Sequence, residues 1–310
     1  MSIVRKAVPW ILAVAILYFL FRGIDLTEVW EAAGTANLPL FLSMLMGCVL
    51  LWFLIDSAAF AFIFSRFNDA GLAWGEARSL RGLTYMLTPI NWNLGTAAVI
   101  LHLRKSKQIG AVESSSTMLF YQMIDGLVLG AFALLGVLML PSSSETAQMR
   151  NLAMGVVIFQ VLPLVFFSRD WFGVSLIERY RQLAIFRSHR GARPRDVGIL
   201  LLMKGLYYAV FLGVYWQGAQ AFGISLPLSV AVAASPLIIL TGALPFTPAG
   251  LGTQQAAMLF FFEPYGDEPA ILAFGLIYPL ALVFARALLG LPYLKDLPKM
   301  RTDSQVDRDA

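Results

Sequence analysis

The chain has 310 residues, of which 58% are hydrophobic and 14% are charged, and its formal net charge is +4. Soluble domains carry roughly 25% charged residues, so this composition predicts an all-α integral membrane protein. No stretch remains for a soluble domain of ordinary size, and we expect a single transmembrane domain over residues 1–310. Basic residues cluster beside apolar runs rather than on a soluble face, which argues against a nucleic-acid partner.

Six apolar runs are long enough to cross a hydrocarbon core of about 30 Å. They cover residues 7–22, 38–64, 114–140, 151–168, 197–222 and 270–291. Two further apolar segments, at about residues 79–103 and 229–262, are interrupted by proline and glycine, which weaken a helix. The run at 7–22 also fits a signal peptide cleaved near Ala33–Ala36, but no other feature of a secreted protein follows it.

The two interruptions share a pattern in which proline precedes Leu-Gly-Thr. Pro89 precedes Leu94-Gly95-Thr96, and Pro245 and Pro248 precede Leu251-Gly252-Thr253. Irregular backbone at membrane depth is tolerated only where protein or a water-filled cavity covers it. We therefore predict that the function lies at these two segments.

Lysine and arginine set the predicted orientation, because cytoplasmic loops carry an excess of them. The first interrupted segment has basic residues at both ends and should re-enter from the cytoplasm, whereas acidic residues follow the second, which should re-enter from outside. The same rule places both termini in the cytoplasm of a cell inner membrane, with a polar tail at 296–310. The basic residues at the first segment are Arg66, Arg78, Arg81, Arg104, Lys105 and Lys107.

This topology predicts six full transmembrane helices plus two re-entrant hairpins in a 3+3 inverted repeat. The halves cover about residues 1–145 and 146–295. In transporters with inverted repeats, broken helices from the two halves form the substrate site near the midplane. The shared Leu-Gly-Thr supports the repeat, but Gly95 and Gly252 also fit simple close packing of helices.

The second interruption, Pro248-Ala249-Gly250-Leu251-Gly252-Thr253-Gln254-Gln255, resembles the Pro-Gly-Gly-Leu-Gly-x-x-Glu signature of the lysylphosphatidylglycerol synthase transmembrane region, also called the flippase-like family. The first interruption is similar to that family's Pro and Gly-Glu-x-x-Arg motif, with Thr96 and Val99 in place of Glu and Arg. Asp125 falls where the family has Glu-Arg-x-x-Asp, but Tyr121 and Gln122 replace the Glu-Arg, and Gln255 replaces the last Glu of the signature.

The resemblance implies transport, or flipping, of a lipid or lipid-linked saccharide across the cytoplasmic membrane, with the head group passing between the two hairpins. Its partners would be anionic phospholipid or polyprenyl-phosphate-linked lipid. The missing charges leave open a less charged head group or a copy that no longer transports. Two alternatives therefore stand beside transport: a non-transporting accessory subunit with a membrane-enzyme partner, and a membrane transferase acting on a lipid-linked substrate. No P-loop or Ser-His-Asp pattern favours an enzyme.

The predicted substrate site consists of polar residues at the two interruptions and two ionisable residues within spans. At the first apex the amides fit either a head group with water or caps of the broken helix. At the second, the helix start after Gly250 presents N–H groups that attract anions, with ordinary capping by Thr253 as the alternative. The residues are Asn91, Trp92, Asn93, Thr96, Asp125, Thr247, Gly250, Gly252, Thr253, Gln254, Gln255 and Arg286.

Ionisable residues within the spans are costly unless they are paired or solvated. We expect Asp125 to pair with Arg286 and Asp56 to lie near Lys204. Lys204 could instead extend its flexible side chain to the cytoplasmic surface, and we favour this alternative to a partner within the membrane.

The basic and aromatic segment 169–195 predicts an amphipathic helix on the cytoplasmic surface, held by anionic lipid. Cys48 is the single cysteine, and His102 and His189 lack companions at ligand spacing. We therefore expect no disulfide, metal or cofactor. The oligomeric state does not follow from the sequence.

Overall fold

The computed structural model describes residues 18, 26–68, 71–87, 92–168, 179–180, 182–243 and 252–296. Within these ranges the regular structure is helical, and no strand occurs. The α-helices are α1 (Leu26–Thr35), α2 (Leu38–Asn68), α3 (Trp74–Leu87), α4 (Trp92–Ser106), α5 (Ala111–Leu138), α6 (Ser144–Ser168), α7 (Arg187–Gly191), α8 (Pro194–Ala221), α9 (Leu228–Ala243), α10 (Thr253–Phe262) and α11 (Glu268–Gly290), and the 3-10 helices are η1 (Ala184–Phe186), η2 (Glu263–Tyr265) and η3 (Leu291–Asp296).

Five of the described helices are long and apolar enough to cross a membrane. They agree with five of the six predicted crossings. The remaining one, at 7–22, lies outside the described residues apart from Tyr18. The candidate spans are Leu38–Asn68, Ala111–Leu138, Thr146–Phe167, Pro194–Ala221 and Glu268–Tyr293.

Local signals explain where several helices begin and end. At the start of α2, the Asn37 side chain accepts a hydrogen bond of 3.2 Å from the Leu40 N–H, which satisfies one free donor of the first turn. Glycine follows the end of α8: Gly223 has a φ of 78°, and the Ile224 N–H donates back to the Ala219 carbonyl at 3.0 Å. A capping side chain therefore bounds the start of α2, and a glycine with positive φ bounds the end of α8.

Shorter helices occupy the two interrupted segments. α3 and α4 have 14 and 15 residues, and α9 and α10 have 16 and 10. Each is shorter than the roughly 20 residues that a crossing requires. α3 packs against α4, and α9 packs against α10. The breaks at 88–91 and 244–251 lie outside the described residues, so the re-entrant turns and the inverted repeat stay predictions.

The chain forms two compact units. Unit 1 comprises Met1–Val49, Leu129–Ala153 and Ala209–Ala285, and unit 2 comprises Leu50–Val128, Met154–Tyr208 and Arg286–Ala310. In unit 1, aromatic rings of α2, α8 and α11 pack edge to face or at a tilt, an arrangement that adds to the energy of their burial. These rings belong to Phe41, Phe211, Tyr215, Phe274 and Tyr278, and the ring of Phe222, directly after α8, packs edge to face on Phe41.

Close helix packing in unit 1 predicts that Gly136→Ala destabilises the protein by about 1–3 kcal/mol. A Cβ atom at Gly136 would collide with the backbone of Ala233 in α9. Thermal unfolding in detergent checks this, with Gly155→Ala as the matched control, because a Cβ at Gly155 meets nothing within 4 Å. Equal unfolding temperatures for the two variants would contradict the close packing.

In unit 2, glycines bring α3 against the end of α11 and the start of η3. A Cβ on Gly82 would overlap the Tyr293 ring, and one on Gly290 would overlap Met86 and the Gly82 carbonyl. This close contact places α3, which carries Arg81, beside the C-terminal end of α11, where Arg286 lies over the Tyr85 ring of α3. The packing thus positions the two arginines that line the cavity described below.

The predicted surface helix over 169–195 is wrong for its described part. Leu183 and Ala192 are extended, with ψ values of 135° and 124°, and only the short helices η1 and α7 lie between them. The Phe186 ring stacks on Phe167 at 4.1 Å, and His189 is 3% exposed, whereas Tyr180 and Leu183 are 59% and 45% exposed. The described part is therefore an interrupted segment with two rings packed on the protein, and its contact with anionic lipid stays a prediction.

Protein stability should fall as the pH decreases from about 6.5 to about 4. Burial lowers the pKa of His189 from 6.5 to about 4, and the charge of Arg190 lowers it further. Within this pH range His189 is protonated in the unfolded chain but not in the folded protein. The free energy of unfolding therefore decreases by at most about 3 kcal/mol. Unfolding temperatures of wild type and His189→Gln across the range measure the effect. His102→Gln is the control. If the unfolding temperatures of wild type and His189→Gln changed equally with pH, His189 would not cause the pH-dependent loss of stability.

Candidate functional site

A cluster of charged side chains lies within unit 2. Lys204 Nζ lies 2.9 Å from Asp56 Oδ1 and 2.9 Å from Asp125 Oδ1. Arg81 Nη2 pairs with the other Asp56 oxygen, Oδ2. The side chains of Asp56 and Lys204 are 1% and 3% exposed. Two cations thus match two carboxylates, and this balance makes their burial tolerable.

Aromatic side chains complete the surroundings of the ionic cluster. The Tyr121 hydroxyl donates a hydrogen bond to Asp56, and the Tyr208 hydroxyl bonds to Asp125. Lys204 Nζ also lies 3.8 Å from the centre of the Tyr121 ring, a favourable cation–π contact. Each charge therefore has several partners, as buried ions require.

The structure confirms one predicted pair and corrects another prediction. Asp56 and Lys204 are in contact, as expected from their places in α2 and α8. The prediction that Lys204 reaches the cytoplasmic surface is wrong, because two carboxylates hold its ammonium group in the interior. Asp125, for which the sequence indicated Arg286, is paired with Lys204.

A cavity of about 50 Å³ lies beside the cluster, within unit 2. It has room for about three to five water molecules. Among the described residues that line it, the charged ones are Arg81 and Arg286. Arg81 therefore belongs both to the cavity wall and to the ionic cluster. The lining residues are Arg81, Thr84 and Tyr85 of α3, Gly95, Thr96 and Val99 of α4, Met118 of α5, Tyr207 of α8 and Arg286 of α11.

The Tyr85 hydroxyl and Arg81 Nε belong to residues of the cavity lining. Both atoms are buried and have no hydrogen-bond partner among the described residues. A buried polar atom without a partner costs about 1–3 kcal/mol, so water or a ligand in the cavity would stabilise both groups. Both groups can donate a hydrogen bond, so the wall of the cavity is suited to an oxygen-rich anion.

The predicted site residues are divided between the two units. Thr96 and Arg286 line the unit 2 cavity, and Asp125 belongs to the neighbouring cluster. Trp92 and Asn93 lie in the first turn of α4. Gly252, Thr253, Gln254 and Gln255 lie in unit 1, and Asn91, Thr247 and Gly250 lie outside the described residues.

The start of α10 shows a structural role for Gln255. Gly252, with a φ of 84°, takes the capping position, so the expectation that Thr253 caps this helix is wrong. The Gly252 N–H donates to Gln255 Oε1 at 2.7 Å, and Gln255 Nε2 donates to the Gly275 carbonyl at 2.8 Å. Gln255 thus joins the helix start to α11.

Arg81, Thr84, Tyr85 and Tyr207 line the cavity but are not among the predicted site residues. By its place in the sequence, Arg81 is one of the basic residues that flank a membrane segment. A usable signal was present, because Arg81, Thr84 and Tyr85 are three and four positions apart and share one helix face. Tyr207 carries no comparable signal, since α8 is apolar on most sides.

The fold and the site define a helical membrane protein with a buried ionic cluster beside a cavity that carries two arginines. The family model of the lysylphosphatidylglycerol synthase TM region matches residues 7–290, and the chain belongs to this family. Comparisons with curated proteins and with solved structures gave no match. Thr96 and Val99 replace the Glu and Arg of the Gly-Glu-x-x-Arg motif, and both line the cavity.

Proposed function

We propose that the protein binds the anionic head group of a membrane lipid in the unit 2 cavity and moves that lipid across the membrane. The observation that carries this proposal is the presence of Arg81 and Arg286 in the wall of one cavity. The planar guanidinium group presents paired donors that match the oxygens of a phosphate. A phosphate-bearing lipid is therefore the class of ligand that the wall fits best.

The size and polarity of the cavity limit what it accepts. A volume of about 50 Å³ admits a phosphate-sized group, so the acyl chains would remain in the lipid phase. Thr84, Thr96 and Tyr85 add hydroxyl groups to the wall. Such groups supply hydrogen bonds to phosphate or glycerol oxygens without adding charge.

The cavity has cationic side chains although Thr96 and Val99 are uncharged. The family motif that the first interruption resembles has Glu and Arg at these positions. In this chain Arg81 of α3 and Arg286 of α11 reach the same cavity from neighbouring helices. The loss of a Glu removes a negative charge there, which favours an anionic head group further.

Lipid movement in liposomes tests the proposal. Purified protein is reconstituted with fluorescent phosphatidylglycerol, phosphatidylcholine or polyprenyl phosphate, and the fraction accessible to an external quencher is followed. We expect the anionic lipids to cross faster than in protein-free liposomes and faster than phosphatidylcholine. Arg286→Gln should abolish the gain, whereas Arg104→Gln, the same charge change at an exposed residue of α4, should preserve it.

Failure of every lipid to move would contradict transport. If the anionic head group still bound under those conditions, the result would favour the accessory-subunit alternative. Equal rates for Arg286→Gln and wild type would contradict the assignment of the cavity.

A further inference from the structure

Arg81 lines the cavity and also pairs with Asp56 in the buried cluster. We propose that an anionic ligand and the Asp56 carboxylate compete for Arg81, so that ligand binding and proton uptake by the Asp56–Asp125 pair promote each other. The inference rests on the proposed function in one respect, because a lipid phosphate must reach the cavity. It adds a proton as the second, coupled ligand of the site.

The cluster without ligand has balanced charge. Arg81 and Lys204 contribute two positive charges, and Asp56 and Asp125 contribute two negative charges. Lys204 Nζ is 2.9 Å from an oxygen of each carboxylate, so one ammonium group serves both. Arg81 is the second cation of Asp56, and it is also the member of the cluster that lines the cavity.

A phosphate in the cavity changes the partners of Arg81. A phosphate that accepts a hydrogen bond from Arg81 Nε shares the positive charge of the guanidinium with Asp56. The two carboxylates then depend more strongly on Lys204 for their positive charge. Two carboxylates that share one cation in a region shielded from water are disfavoured when both are ionised. A proton bound to one of them removes this repulsion. The proton comes from water, and the carboxylate becomes a neutral carboxylic acid that remains hydrogen-bonded to Lys204 or tyrosine.

The same competition acts in reverse. When Asp56 is protonated, it no longer attracts Arg81 as an ion, and the guanidinium is available to the ligand. By linkage, a proton that strengthens anion binding must itself bind more tightly when the anion is present. Like charges fix the sign of this coupling, because the phosphate and the ionised carboxylates repel each other.

The groups around Asp56 indicate which carboxylate can take up the proton. Asp125 has an exposed side-chain fraction of 18%, against 1% for Asp56, so it is the carboxylate with access to water. Arg286 faces the cavity over the Tyr85 ring, at 5.3 Å from its centre, and supplies positive charge to the ligand in either protonation state. Among the described residues, the titratable groups that face Asp56 and its partners from α3, α5 and α8 are Arg81, Tyr85, Tyr121, Asp125, Lys204, Tyr207 and Tyr208.

Calorimetry of the full-length protein in detergent tests the coupling. The probe is dihexanoyl phosphatidylglycerol, whose phosphodiester stays a monoanion over the range measured. Titrations at one pH in buffers of different ionisation enthalpy give the number of protons taken up with each lipid. We expect the protein to take up roughly one proton for each lipid bound. The affinity for the lipid should rise by up to about tenfold for each unit by which the pH is lowered.

Variants locate the proton. Asp56→Asn is expected to bind the lipid with no proton uptake and with an affinity independent of pH. Asp196→Asn is the matched control, because Asp196 pairs with Arg66 at 3.0 Å outside the cluster, and it should behave like wild type. If Asp56→Asn fails to fold, Asp125→Asn replaces it and should lower the proton count, since Asp56 then keeps Lys204 to itself.

The outcomes separate this inference from the proposed function. Lipid binding by wild type with equal heats in all buffers and one affinity at every pH would overturn the coupling and leave the anion site standing. No binding of phosphatidylglycerol by wild type would overturn the anion site and the coupling together. Unchanged proton uptake in Asp56→Asn and Asp125→Asn would overturn the assignment to these carboxylates.

Discussion

Replacing Lys204 by methionine is expected to destabilise the protein by about 3–5 kcal/mol. The change leaves Asp125 without its ammonium partner and leaves Asp56 with Arg81 as its remaining cation. An uncompensated buried charge is among the largest single defects that a substitution introduces. Equilibrium unfolding in detergent micelles measures the loss.

Two variants serve as controls for this prediction. Lys107→Met removes a lysine of similar size that pairs with Glu76 at 2.9 Å, but its side chain is 27% exposed, so we expect a loss of no more than about 1 kcal/mol. Adding Asp125→Asn to Lys204→Met should recover part of the stability, because it removes the stranded charge. A loss for Lys204→Met no greater than that for Lys107→Met would show that the cluster is not a buried ionic network.

Replacing Arg286 by glutamine is expected to weaken binding of an anionic lipid head group about 10- to 150-fold. This range corresponds to the roughly 1.5–3 kcal/mol that a hydrogen bond to a charged group contributes. Arg81 both lines the cavity and pairs with Asp56, so a change at Arg286 leaves that ion pair in place and separates ligand binding from folding more cleanly than a change at Arg81. Titration with dihexanoyl phosphatidylglycerol measures the affinity.

The form of the arginine provides a further check on this prediction. Arg286→Lys keeps the charge but loses the paired donors, and should give an intermediate affinity. Arg104→Gln removes the same charge from an exposed position and should bind like wild type. If Arg286→Gln and Arg104→Gln had equal effects, the cavity would not be the head-group site.

The membrane-spanning helices could be predicted because their signals are local. Length and hydropathy define α2, α5, α6, α8 and α11, and the spans of the structure agree with those predictions. The two interruptions were equally visible as proline and glycine within apolar sequence. What the sequence could not show is the path of the chain at those breaks, which depends on packing between distant segments.

The cavity was only partly predictable for a physical reason. Thr96 is predictable because it is polar within an apolar segment, and Arg286 because it is ionisable within a span, and both line the cavity. Arg81 escaped notice because basic residues near a segment end normally lie in water, whereas here Asp56 compensates the charge. That compensation comes from α2, 25 residues earlier in the chain.

Gln255 illustrates the converse difficulty. An amide beside a glycine-rich break looks like a ligand-binding group, and nothing local distinguishes that role from capping. Its carbonyl and amide groups are engaged with Gly252 and with Gly275, which lies 20 residues later. Long-range partners therefore decide whether a polar residue at such a break is available to a ligand.

A structure of the full chain determined in nanodiscs of phosphatidylglycerol is the most direct test of the head-group site. We predict density for a phosphate within hydrogen-bond distance of the Arg81 and Arg286 guanidinium groups, with its acyl chains extending into the lipid. A well-resolved cavity that contains only water, with the lipid head groups bound elsewhere on the protein, would contradict the proposed function.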